Sequence, residues 1–214
     1  YKKHSTSYKH SVGDVKKSAS GYRLERVYDE KTKTWNLAKL FIGAQATLGI
    51  ITKARLKLVP INPYKRAVVV SVHDLSELPT LLQTIMKYNP ESVETFDKNT
   101  YHFAKKFLPE DTLTIQHFFG PHIEFIILAE FSEDTQEKTD TVAHEVLVQL
   151  KDVGATVEYI TERKVMDAVW AVRRSSFRVL RDATFSNPQK RAVPCIEDII
   201  VPIKNFDVFV PGLL

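Results

Sequence analysis

"RAVVVSVHDLSELPTLLQTIMKYN" (66–89) changes its hydrophobic period halfway along, and this change decides the fold class. The run around Val68–Val70 is short and continuously apolar, which is typical of a buried strand. From Leu75 onward, apolar residues recur at helical spacing. The residues on that face are Leu75, Leu78, Leu81, Leu82 and Ile85. A buried strand followed at once by an amphipathic helix predicts a mixed α and β domain.

The same alternation of strand and helix patterns continues downstream. The predicted strands are "SVETFD" (92–97), "IEFIILAEF" (123–131), "TVEYIT" (156–161) and "CIEDIIVPI" (195–203). The predicted helices are "TQEKTDTVAHEVLVQLKDVGA" (135–155), with Gly154 as its C-cap, and "ERKVMDAVWAVRRSSFRVLRD" (162–182). Two successive β-α-β units with antiparallel pairing predict a ferredoxin-like α+β fold, in which helices back an antiparallel sheet. The most continuous apolar runs, 66–72 and 123–131, should be its central strands.

Charge separates the beginning of the chain from the rest. Residues 1–66 contain 15 Lys and Arg against 4 Asp and Glu, whereas residues 67–214 contain 15 against 22. A basic segment could bind nucleic acid, an anionic cofactor or a membrane surface, or it could face the acidic part of the same chain. Residues 1–17 contain only Tyr1 and Tyr8 as aromatic side chains, which disfavours binding to single-stranded nucleic acid.

A glycine-containing loop lies within this basic segment. "LFIGAQATLGIITKARLKLVP" (40–60) uses two of the seven glycines of the chain, Gly43 and Gly49. Glycine permits positive φ and a close approach of the backbone to another group, so the loop is a candidate ligand contact. Its basic, alternating end predicts a strand over 48–60. The inward positions of that strand would be Ile51, Ala54, Leu56 and Leu58.

Several chemistries are disfavoured. Cys195 is the only cysteine, which excludes an intrachain disulfide and a cysteine-based zinc site and favours a reducing compartment. His117 and His122 are five residues apart and have only Glu124 as a nearby carboxylate, and no metal is predicted. The sequence contains no run of 18 apolar residues, so no transmembrane helix is predicted. Glu197 and Asp198 could orient a substrate or form a structural ion pair.

"VWAVRR" (169–174) contains the strongest candidate side chain. Trp170 and Arg173 are three residues apart and share one face of the predicted helix. A guanidinium next to an aromatic ring can hold a carboxylate through two parallel hydrogen bonds. The alternative interpretation is a solvated arginine on an amphipathic helix.

The segments "KSASGYRLERV" (17–27) and "NLAKLFIGAQATLGIITKARLKL" (36–58) resemble the flavin oxidoreductases of the vanillyl-alcohol oxidase type. The subgroup is that of D-lactate dehydrogenase, the flavin-binding polypeptide of glycolate oxidase, and D-2-hydroxyglutarate dehydrogenase. Downstream, "VETFD" (93–97), "VWAVRR" (169–174) and "CIEDIIVP" (195–202) are similar to the family's V-E-x-x-D, L-W-x-x-R and I-E-D-x-x-V-P.

The resemblance implies a cofactor and a substrate group. The glycine loop would contact FAD through its backbone at Gln45, Ala46, Thr47, Leu48, Gly49, Ile50 and Ile51. Arg173 would bind the carboxylate of a small 2-hydroxy acid, which FAD would oxidise by accepting a hydride. The family's S-E-G is Ala44-Gln45-Ala46 here, and Ala46 is costly if its φ is positive.

The resemblance also implies a division of the chain. Residues 1–62 would be the C-terminal tail of a FAD-binding domain, and 63–214 an incomplete FAD-linked oxidase C-terminal domain. We therefore expect a fragment of a cytoplasmic oxidoreductase, with peripheral attachment to the inner face of the membrane as an alternative location. The fragment alone would be inactive, would carry no FAD and could self-associate into a homo-oligomer. The competing hypothesis is a non-catalytic ferredoxin-like binding module that has lost flavin binding.

Overall fold

The computed structural model describes residues 21–178 and 199–209, together with the separate positions His4, Thr6, Ser7, Arg181 and Gly212. These residues divide into two compact units: 21–59 with 199–202, and 60–178 with 203–209. The smaller unit is mostly turns, and the larger one combines helices with an antiparallel sheet. The predicted α+β class is confirmed.

The smaller unit contains a short hairpin of β1 (Tyr28–Asp29) and β2 (Thr34–Trp35). The carboxylate of Asp29 accepts hydrogen bonds from the amides of Lys31 and Thr32, which stabilises the charged turn "DEKTKT" (29–34). The alternating pattern of "YRLERVY" (22–28) predicts a strand, but only Tyr28 lies in one, because Leu24–Arg26 forms a 3₁₀ turn. A two-residue hairpin supplies pairing partners for only the end of that segment.

The strand predicted over 48–60 is also wrong. Residues 50–60 form no helix or strand, and their side chains are exposed to solvent. The exposed apolar residues of this segment are Ile50, Ile51, Leu56, Leu58 and Val59. Alternation of apolar and basic residues describes a strand only where a neighbouring strand pairs with it. No strand of the smaller unit, within the described residues, pairs with this one.

The sheet of the larger unit has four strands: β3 (Tyr64–Val72), β4 (Ser92–Asp97), β5 (Phe125–Glu133) and β6 (Thr156–Ile160). Their order is β4-β5-β3-β6, and all neighbours are antiparallel. β3 and β4 are consecutive in the chain, but β5 lies between them in the sheet. Likewise, β5 and β6 are consecutive in the chain, but β3 lies between them. The prediction that 66–72 and 123–131 form the central strands is confirmed.

Six α-helices of the larger unit lie wholly within the described residues. They are α1 (Leu78–Met86), α2 (Lys98–Ala104), α3 (Pro109–Thr114), α4 (Gln136–Asp152), α5 (Arg163–Arg174) and α6 (Phe206–Phe209). Gly154, which follows α4, has φ +82°, in keeping with its predicted capping role.

Helices cover both faces of the sheet, so the sheet separates two hydrophobic cores. One core joins Val68, Val70 and Ile127 to the apolar sides of α1 and α4. The other joins Val69 and Leu128 to α2, α3 and α5. Burial on both faces explains why the central strands are continuously apolar instead of alternating.

Part of the C-terminal prediction lies outside the described residues. Cys195, Glu197 and Asp198 belong to that part. Residues 199–202, which the structure does describe, form no strand, so the end of the strand predicted over 195–203 is wrong. Within the described chain, none of the helices has the length and apolarity needed to cross a bilayer.

Candidate functional site

The glycine loop of the smaller unit has an unusual backbone. Four of its residues have positive φ: Gly43 (+78°), Gln45 (+49°), Ala46 (+61°) and Gly49 (+153°). Glycine adopts these conformations without strain, but alanine at Ala46 is disfavoured by about 1 kcal/mol relative to glycine. The departure from S-E-G therefore does introduce backbone strain at this position.

Thr47 holds the loop together. Its amide and its hydroxyl both donate to the carbonyl of Ala44, at 2.9 and 2.6 Å. The same hydroxyl is 2.8 Å from the hydroxyl of Tyr22. Within the described residues, the amides of Gln45, Ala46 and Leu48 have no protein acceptor. These amides remain available to an outside acceptor.

The side chains after Thr47 are apolar and accessible. Leu48 is 44% exposed, Ile50 91% and Ile51 64%. Free main-chain donors next to exposed apolar surface suit a ligand with an anionic part and a flat apolar part. That combination matches the diphosphate and the flavin ring of FAD, so the residues present fit the cofactor that the resemblance implies.

Arg173 lies in the last turn of α5, and its side chain is about one-third exposed. Its Nε donates to Glu94 Oε2 on β4 at 2.9 Å, and its Nη1 donates to Ser176 Oγ at 3.4 Å. These contacts fix the guanidinium and leave Nη2 without a partner among the described residues. The arginine is neither fully solvated nor buried, which is the placement that a substrate-carboxylate role requires.

The sequence did not predict two contacts of this helix, that of Arg173 with Glu94 and that of Arg174 with Trp170. Glu94 is distant in sequence from Arg173, and nothing in the local pattern of either residue indicates the pairing. The ring of Trp170 is approached not by Arg173 but by Arg174, whose guanidinium carbon lies 5.0 Å from the ring centroid. Residues three and four apart share a helix face, so the spacing alone did not distinguish the two arginines.

A second polar cluster lies on the opposite side of the sheet. Arg66 Nε donates to Asp140 at 2.6 Å and to the Tyr159 hydroxyl at 3.1 Å, and that hydroxyl donates to Asp140 at 2.5 Å. Burial, followed by the hydrogen bond to Asp140, raises the pKa of Tyr159 to about 12. The hydrogen bond from Tyr159 lowers the pKa of Asp140.

The histidines do not assemble a metal site. His117 Nε2 lies 3.4 Å from a carboxylate oxygen of Glu158, and both side chains are about half exposed. Across the residues that the structure describes, no group of three metal-binding side chains converges. The sequence prediction that named no metal stays a prediction for the chain as a whole.

The larger unit is thus an α+β domain, in which helices cover an antiparallel sheet and the guanidinium of Arg173 is partly exposed beside the edge strand β4. Residues 61–213 match the family described as FAD linked oxidases, C-terminal domain, and the chain belongs to this family. The resemblance inferred from the sequence motifs is thereby confirmed.

Curated relatives have related names and are much longer. A D-2-hydroxyglutarate dehydrogenase of Haemophilus influenzae is 22% identical over 196 residues, which are 87% of this chain and 19% of the relative. A D-lactate dehydrogenase of Anaerostipes hadrus is 25% identical over 154 residues, 71% of this chain and 32% of the relative. A D-2-hydroxyglutarate dehydrogenase of Pseudomonas putida is 26% identical over 195 residues, which are 86% of this chain and 18% of the relative. The chain thus spans about a fifth of the length of the first relative and about a third of the length of the second.

Proposed function

We propose that the chain is part of a FAD-dependent dehydrogenase that oxidises a small 2-hydroxy acid such as D-lactate or D-2-hydroxyglutarate. The names of the relatives support this substrate class. Residues 1–62 would belong to the FAD side of the enzyme and residues 63–214 to the substrate side. Bound FAD would supply the hydride acceptor, and the chain would supply binding and orientation.

The observation that carries the proposal is the fixed geometry of Arg173. The contacts with Glu94 and Ser176 hold its guanidinium in one orientation, with one terminal nitrogen free of partners among the described residues. A guanidinium that is already oriented loses little side-chain entropy when a carboxylate binds. Gln45–Ile51 would hold FAD through backbone amides and apolar contacts.

The test uses the gene product expressed from its own open reading frame. Arg173→Lys replaces the planar guanidinium, which can donate two parallel hydrogen bonds, by an ammonium group. It should remove one charge-assisted hydrogen bond to the substrate, which contributes about 1.5–3 kcal/mol to binding. We expect kcat/KM for D-lactate or D-2-hydroxyglutarate to fall about tenfold to hundredfold. Arg163→Lys is the control, since Arg163 lies on the same helix but is 79% exposed and pairs with Asp167. Equal kcat/KM in the wild type and Arg173→Lys would refute the assignment.

One observation favours a non-catalytic alternative, a binding module that has lost flavin. Ala46 occupies a positive-φ position, which strains the loop where the family has glycine. Absorbance in the flavin bands distinguishes the two functions. A colourless gene product that takes up no added FAD would favour the binding module.

A further inference from the structure

The motif "VETFD" (93–97) places its two acidic residues on opposite faces of the edge strand β4. Asp97 caps α2. Glu94 lies opposite Leu128 of β5, which belongs to the core under α5. The carboxylate of Glu94 therefore extends toward α5, and among the described residues it accepts a hydrogen bond only from Arg173. The two acids of one motif thus have separate contacts, and only that of Glu94 reaches the candidate substrate residue.

The planar guanidinium of Arg173 has two edges, each of which can donate two parallel hydrogen bonds to a carboxylate. Glu94 Oε2 lies on the side edge and accepts from Nε at 2.9 Å. The end edge is formed by Nη1 and Nη2, and its one contact within the described chain is the long one from Nη1 to Ser176 Oγ, at 3.4 Å. A carboxylate from a substrate would therefore bind at the end edge, next to Glu94.

Glu94 would have two opposing effects on a carboxylate bound there. Its hydrogen bond to Nε limits rotation of the guanidinium and so fixes the direction of the end edge. Its negative charge repels the incoming anion. Both side chains are about one-third exposed, so water and salt screen the repulsion, whereas they do not alter the direction of the fixed edge. We expect orientation to be the larger effect.

We propose that Glu94 is a positioning residue, which holds Arg173 in the one orientation that aligns a bound 2-hydroxy acid for oxidation. Because this role requires a substrate carboxylate at Arg173, it rests on the proposed function. Without the contact, the guanidinium still attracts the carboxylate, but it holds the acid in several directions. Loss of the contact should therefore slow the chemical step more than it weakens binding of the substrate.

Two substitutions separate the contact from the charge, in the gene product expressed from its own open reading frame. Glu94→Asp keeps the charge but is one methylene shorter, so it should lose the contact and lower kcat for the 2-hydroxy acid at least about tenfold, with KM changed less than about threefold. Glu94→Gln keeps an acceptor oxygen without the charge and should retain kcat within about threefold of the wild type. Glu91→Asp is the matched control, since Glu91 precedes the same strand and pairs with Lys65 at 2.8 Å. It should change neither constant.

NMR of the guanidinium nitrogens gives a second readout, which needs neither substrate nor flavin. The Nε–H of Arg173 should exchange slowly with water while it donates to Glu94. Arg173→Lys removes this signal and thereby identifies it. The protection should be lost in Glu94→Asp and kept in Glu94→Gln and Glu91→Asp.

The two measurements together distinguish failure of this role from failure of the proposed function. Loss of Nε–H protection in Glu94→Asp without a fall in kcat overturns the positioning role, as does an equal fall in kcat in Glu94→Asp and Glu94→Gln. If Arg173→Lys lowers kcat/KM in the same series, the proposed function stands and only the role of Glu94 fails. If neither Arg173→Lys nor Glu94→Asp changes kcat/KM, both fail.

Discussion

The Tyr159 hydroxyl connects Asp140 and Arg66, accepting a hydrogen bond from the guanidinium and donating one to the carboxylate. The raised pKa of Tyr159 means that its contribution to stability is complete below its ordinary pKa near 10 and is lost as the pH rises through about 12. The lowered pKa of Asp140 has the opposite consequence: its contribution is present above its ordinary pKa and is lost as the pH falls through the lowered value.

Tyr159→Phe should therefore reduce the free energy of unfolding at neutral pH and return the pKa of Asp140 toward its ordinary range. Urea denaturation at several pH values measures the first effect, and NMR titration of the carboxyl carbon measures the second. Tyr64→Phe is the control, since Tyr64 is also a strand residue but its hydroxyl bonds to no described group. An unchanged Asp140 titration in Tyr159→Phe would show that the hydrogen bond does not lower its pKa.

Among the helices, α4 offers a direct test of the core that it shares with α1. Leu150 is fully buried on its inner side, whereas Val148 on the same helix is 52% exposed. Leu150→Ala should lower the free energy of unfolding by about 2–5 kcal/mol, because it loses buried surface and leaves a cavity. Val148→Ala should change it by less than about 0.5 kcal/mol. Similar losses for both variants in denaturant titrations would contradict the packing described here.

Asp97 caps the N-terminus of α2, and substitution of this residue tests the cap. Asp97 precedes the helix in an extended conformation, and its carboxylate accepts a hydrogen bond from the Thr100 amide at 2.8 Å. Asp97→Ala should destabilise the protein by about 1 kcal/mol. Asp97→Asn retains an acceptor oxygen and should be close to neutral, so a thermal denaturation series of the two variants separates capping from charge. A larger loss in Asp97→Asn than in Asp97→Ala would exclude the cap as the source of the effect.

The elements that the sequence predicted correctly are those whose pattern reports burial against residues nearby in the chain. The apolar run at Val68–Val70 and the helical spacing of α1 and α4 are of this kind. The segment over 48–60 failed because its alternation describes a strand only in the presence of a partner. Likewise, the position of Arg173 followed from a motif, but its contact with Glu94 depends on tertiary structure that joins α5 to β4.

For the molecule as a whole, the exposed apolar segment over 50–60 is the main liability. Side chains such as Leu56 and Leu58 are 79% and 87% exposed and alternate with basic residues. Unpaired backbone beside exposed apolar side chains favours association with another chain. We expect the 214-residue chain to self-associate with increasing concentration, and the double variant Leu56→Asn, Leu58→Asn to do so less.

Sedimentation velocity over a range of concentrations measures this association. Leu113→Asn is the control, because Leu113 is 64% exposed but lies on α3. A double variant that associates as strongly as the wild type, or a control that suppresses association equally, would place the contact elsewhere.

The interleaved strand order has a consequence for synthesis on the ribosome. The chain emerges from its N-terminal end, so β3 is the first strand of the four-stranded sheet to appear, yet it pairs with β5 on one side and β6 on the other. Until residue 160 has left the exit tunnel, one edge of this strand has no partner strand, and its valine side chains are only partly buried. Pairing between such distant segments is slow, and the nascent chain is exposed to aggregation during the delay. A pause in translation shortly after β3 should therefore increase the demand for chaperones, whereas a pause after β6 should not.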